Sequence, residues 1–153
     1  MPMKFLYLLH VLSTVIWVGG MFFAHQCLRP VAAVQLEPPQ RLKLWRGVFA
    51  RFFPWVWTAV FLLIGSGMML ILQMGGMAAI PVHIHVMAGI GYLMAGIFAF
   101  IYFRPYAQLH RAVSAEDWPA AGAVLNRIRR LVGINLSLGL ANIVLVFVLP
   151  LLS

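Results

Sequence analysis

The chain has 153 residues, 63% of them hydrophobic and only 9% charged, with a mean hydropathy of +0.96, whereas roughly a quarter of the residues of an ordinary soluble domain are charged. This composition excludes a soluble fold and calls for a lipid bilayer as the main partner. The net charge of +8 is no argument for nucleic acid, because ten of the 11 Lys and Arg fall in two loops between apolar runs.

Four apolar runs, near 5–24, 53–73, 80–103 and 131–152, each approach the ~20 residues that cross the hydrocarbon. The sequence therefore predicts an all-α, four-helix integral membrane bundle, with residues 1–153 forming a single four-span domain. Lys4 before the first run imitates a secretory signal. The run is too long for one, is interrupted by His10, and precedes no soluble domain, so it is expected to stay as span one. Cys27, the lone cysteine, has no partner for an intrachain disulfide and suits the role of a small apolar filler.

The loop after span one carries Arg29, Arg41, Lys43, Arg46 and Arg51, and the segment after span three carries Arg104, Arg111, Arg127, Arg129 and Arg130. Residues 74–79, between spans two and three, are uncharged. The positive-inside rule puts the two basic loops in the cytoplasm of a bacterium and both termini outside its inner membrane. Within the first loop, QRLKLWRGVFARFF (40–53) interleaves basic and apolar residues as a short interfacial helix does. In the second, SAEDWPAAGAVLNRIRR (114–130) offers Ser114 and Asp117 as caps and Pro119 in the first turn, and should run into span four. Trp45, Trp55, Trp57 and Trp118 are expected as aromatic anchors at the headgroups.

Histidines are the only ionisable side chains within the spans, and such groups are costly in hydrocarbon unless they are used. No Asp or Glu lies in a span, which argues against proton-coupled transport through a carboxylate. His10 and His85 each lie about five residues, or ~8 Å, from the outer end of their spans. A level pair facing across a bundle suits the axial ligands of one haem b. His85, Gly89, Tyr92 and Gly96 share a helical face whose missing side chains would admit a flat macrocycle, and Thr14, Trp17 and Met21 share a face with His10. With both axial positions filled, the expected chemistry is one-electron transfer, between a quinone in the membrane and a redox partner protein outside. A second haem would pair His25 with His110, provided that the chain folds back beyond Arg104 and Pro105. His83, about 160° around the helix from His85, points toward headgroups, another helix or the outer surface.

A different chemistry is written in MMLILQMGGMAAIPVHIH (68–85). Here Met68, Met69, Met74 and Met77 precede His83 and His85, and thioether with imidazole suits Cu(I). Met74, Met77, His83 and His85 would form an external copper capture site. Each feature also has a plain structural reading: methionines fill gaps, and small-residue faces let helices pack, including those of a homodimer or another membrane subunit. Asn135 and Asn142, with Gly139 beside them, are expected to bond across helices, or else to hold a quinone or a haem substituent.

LLHVLSTVIWVGGMFF, ARFFPWVWTAVFLLIGSGMML and RIRRLVGINLSLGLANIVL, together with a ligand-type residue opening span three, resemble the CopD copper-resistance membrane family. They also resemble its short relatives, the HemJ-type protoporphyrinogen oxidases. The resemblance implies a four-helix core, a haem b associated with His10 in the HemJ branch and copper uptake in the CopD branch. His85 falls where both branches commonly carry lysine, and Asn135 falls near a usual glutamate. These departures count against HemJ-type oxidation and favour ligation of haem by histidine from both sides.

Overall fold

A computed structural model of the chain describes residues 1–152. These form four helical rods with no strand among them: Met3–Gln35, Pro38–Gln73, Val82–Ser114 and Trp118–Leu151. Each rod is long and apolar enough to cross a membrane, and the protein is a multi-pass membrane protein. At ~1.5 Å per residue, rods of 33 to 36 residues are about 50 Å long, against a hydrocarbon thickness of ~30 Å. The surplus lies at the arginine-rich end.

The surplus corrects the expected boundaries. The basic stretch 40–53 is no separate interfacial helix but the first part of span two, which runs unbroken from Pro38 to Gln73 through Pro54. Its apolar positions Leu42, Trp45, Phe49 and Phe53 are buried in the protein, packed in one cluster with Leu109, Val113, Ala121 and Leu125 from the other basic segment. Burying this face against protein removes the need to lay it on lipid. Of the four tryptophans, Trp55 alone is exposed; Trp45 is buried, Trp57 is ringed by Phe61, Phe98, Tyr102 and Phe103, and Trp118 lies beneath the Lys43 ammonium.

Span three also continues past its expected end. Pro105 cannot donate a backbone hydrogen bond, and the chain passes it in a wide π-helical turn, Tyr102–Tyr106, before resuming as Ala107–Ser114. A similar turn, Phe23–Leu28, joins Met3–Phe22 to Arg29–Gln35 in span one. Span four starts where the sequence places it: Asp117 is the cap, accepting from the Ala120 N–H at 3.2 Å, and Pro119 sits in the first turn. Ser114 instead accepts from Arg46 Nη1 at 3.3 Å.

Spans one and two pack along each other, as do spans three and four, and lighter contacts join the two pairs. Among those joining contacts, Phe98 of span three meets Trp17, Phe53 and Trp57 near the middle of the rods. At the opposite end Gly75 and Gly76 turn the chain out of span two with φ of +102° and +89°. The Gly76 N–H closes back on the Ile71 carbonyl at 2.9 Å, a helix stop that requires residues without a Cβ.

Candidate functional site

His10 of span one is held by span two. The hydroxyl of Ser66 lies 2.6 Å from the Leu62 carbonyl and donates to it. Its oxygen is then left to accept from His10 Nδ1 at 3.1 Å. That bond sets the tautomer with a bare lone pair on Nε2, the state in which imidazole binds a metal. Gly67 makes the room: a Cβ there would stand 3.2 Å from His10 Cε1. Thr14, a turn below, donates to the His10 carbonyl at 2.9 Å instead of facing a ligand. Trp17 is buried edge-on against Phe98, and Met21 is buried beside it.

His85 is oriented by its own helix. Pro81 O accepts from its Nδ1 at 3.3 Å, so its Nε2 is also free. Val18 and Met94 both abut the Gly139 backbone, and eight residues back along these two parallel spans His10 is level with Val86. Level does not mean facing. The buried residues of span three are Met94, Phe98 and Ile101, which lie 160° to 220° around the helix from His85. His85, Gly89, Tyr92 and Gly96 are all exposed, Tyr92 by 49%. A Cβ on Gly89 or Gly96 would meet nothing within 4 Å. These residues therefore do not form a haem cradle opposite His10 inside the bundle. The pairing of His25 with His110 lacks its condition too. The helix does not fold back at Pro105, and His110 lies about six residues, or ~9 Å, farther along its rod from Val82 than His25 does from Met3.

The same geometry turns His83 inward. It lies within about 40° of Met87 and 20° of Met94 on span three. His83 and Met87 are half-buried and Met94 is 3% exposed. This face meets span four: Asn142 Nδ2 donates to the Met87 carbonyl at 3.1 Å, and Asn135 Nδ2 to the Met94 carbonyl at 3.3 Å. The expected cross-helix role of the two asparagines is what the structure shows. The result is an inward stripe of imidazole and two thioethers, whose spacing of i, i+4 and i+11 is readable in the sequence once the inward face is known.

Above the stripe stands the 74–81 turn, which carries Met74 and Met77 at the same end of the bundle as His83. The chain's first residue is tied to the same place, since Gln73 Nε2 donates to the Met1 carbonyl at 3.0 Å. This end of the bundle thus gathers Met1, Met74, Met77, His83 and His85. Among the described residues no three His, Cys, Asp or Glu side chains cluster as a metal site.

The family model described as Copper resistance protein D matches residues 46–149, taking in spans two to four with Met74, Met77, His83, Met87 and Met94. No curated protein and no solved structure matches the chain.

Proposed function

The chain belongs to the CopD family of copper resistance proteins, and on that premise we propose that it handles copper as cargo within the membrane, accepting Cu(I) at the end where its termini lie. The observation that carries this reading is the inward stripe of His83, Met87 and Met94 below the methionine-bearing turn. Met74 and Met77 with His83 and His85 are the capture groups, and Met87 and Met94 lead inward. His10, with its Nε2 free, supplies a further imidazole from span one. Thioether and neutral imidazole match the soft monovalent ion. The stripe contains no carboxylate, which favours Cu(I) over harder divalent cations.

The test is copper uptake into proteoliposomes containing the purified protein and loaded with a Cu(I) chelator. Met94→Leu keeps the volume of the side chain and removes only its sulfur. We expect it to slow uptake strongly, as His83→Ala also does, while Met68→Leu and Met69→Leu, on the exposed surface, leave it unchanged. Uptake by the Met94→Leu variant equal to that of the unmodified protein would refute the stripe. A b-type absorption band in the purified protein, lost in His10→Ala, would instead return haem to the centre of the function.

A further inference from the structure

A second cluster lies at the arginine-rich end, apart from the His83, Met87 and Met94 stripe. The π-helical turn of span one holds His25, whose Nε2 stands 3.4 Å from Arg29 Nη1. A guanidinium only donates, so His25 Nε2 accepts and the ring proton sits on Nδ1. That Nδ1 is buried without a partner. Arg129 of span four donates from Nη1 to Asn126 Oδ1 at 3.1 Å, while its Nε is likewise buried without a partner. Gly133 leaves space for the imidazole, since a Cβ there would stand 3.0 Å from His25 Nε2.

Arg29 of span one is thus bonded to His25, and His25 packs on span four one turn from Arg129, with two unanswered N–H donors and no acid among them. Glu37, Glu116 and Asp117 are exposed, and no arginine has an ion pair among the described residues. Both orphaned atoms are donors, so what the cluster lacks is an acceptor with negative charge. Its depth narrows the choice. His25 is about 22 residues from Met3 and Arg129 about 22 from Leu151, or ~33 Å from the outer end in each case, which is the level of the opposite headgroups.

We propose that Arg29, Arg129 and His25 form a binding site for a phosphate group, borne by an anionic lipid headgroup or by free phosphate. Guanidinium groups match phosphate oxygens in pairs, and the bound anion offsets the mutual repulsion of the arginines. The proposal does not depend on copper handling.

Native mass spectrometry of the full chain in detergent tests it, with phosphatidylglycerol, phosphatidylcholine and inorganic phosphate as probes. We expect either phosphatidylglycerol to be retained over phosphatidylcholine or inorganic phosphate itself to bind. Retained phosphatidylglycerol that millimolar phosphate does not displace identifies the lipid headgroup; bound phosphate that displaces it identifies the free ion. Arg129→Gln should weaken retention about tenfold, the usual scale for one charged donor, and Arg29→Gln should act likewise, giving a second variant should the first fail to fold. Arg111→Gln, exposed and bonded only to the Ala107 carbonyl of its own helix, should change nothing. Equal retention of the two lipids with no phosphate bound overturns the proposal, and so does unchanged retention in folded Arg129→Gln and Arg29→Gln proteins.

Discussion

Replacing Gly67 with alanine puts a methyl group 3.2 Å from His10 Cε1 and 3.6 Å from its Nδ1. In an unobstructed helix interior the substitution stabilises by ~1 kcal/mol, because alanine loses less backbone entropy than glycine. Here the imidazole has to retreat, and it is tethered by the 3.1 Å bond to Ser66. Losing that bond costs about 1 kcal/mol, and overpacking adds at least ~1 kcal/mol. The net expectation is a loss of about 1 kcal/mol. In a His10→Ala background the obstruction is gone and the same substitution should stabilise by about 1 kcal/mol, a coupling of ~2 kcal/mol between the two sites. Unfolding of the four proteins by SDS titration in mixed micelles measures the cycle. Stabilisation by Gly67→Ala in both backgrounds would show that Gly67 does not seat His10.

The two glycines that close WVGG in span one should respond in opposite directions. A Cβ on Gly19 meets nothing within 4 Å, whereas one on Gly20 overlaps the Phe52 ring. Gly19→Ala is expected to raise stability by up to ~1 kcal/mol and Gly20→Ala to lower it by about 1 kcal/mol or more, read as opposite shifts in thermal unfolding. Gly76→Ala forces a left-handed φ of +89° on a residue with a Cβ, which costs roughly 1 to 2 kcal/mol. It should lower the melting temperature and, because the turn carries Met74 and Met77, weaken Cu(I) binding measured by competition with a colorimetric chelator.

Hydropathy was enough to find the four spans, because water and hydrocarbon sort residues by composition alone. It cut the arginine-rich ends short. Leu42, Trp45, Phe49 and Phe53 follow a helical period that suits either a headgroup layer or a protein core. The choice between them depends on whether another apolar surface covers the face. That cover comes from Leu109, Val113, Ala121 and Leu125, more than 50 residues away in the chain. Pro105 misled in another way. Proline ends a helix when the freed backbone groups lack partners, and here a π-helical turn lets the chain carry on.

At the candidate site, depth was legible and direction was not. Counting residues placed His10 and His85 at one level, and the 160° between His83 and His85 needed only helix geometry. Neither count says which histidine faces the bundle. That is decided by Met94, Phe98 and Ile101, which the other spans bury, and they select His83. Gly89 and Gly96 attract attention because they thin one face of span three. A thin face is only where something can approach, and in this bundle it opens to the surroundings. The inward face carries the more telling pattern. A soft cation leaving water for the hydrocarbon level needs donors that are neutral, polarisable and spaced along its route. Two methionines below a histidine, on the face that Asn135 and Asn142 bind to span four, provide such donors without bringing a charge into the membrane.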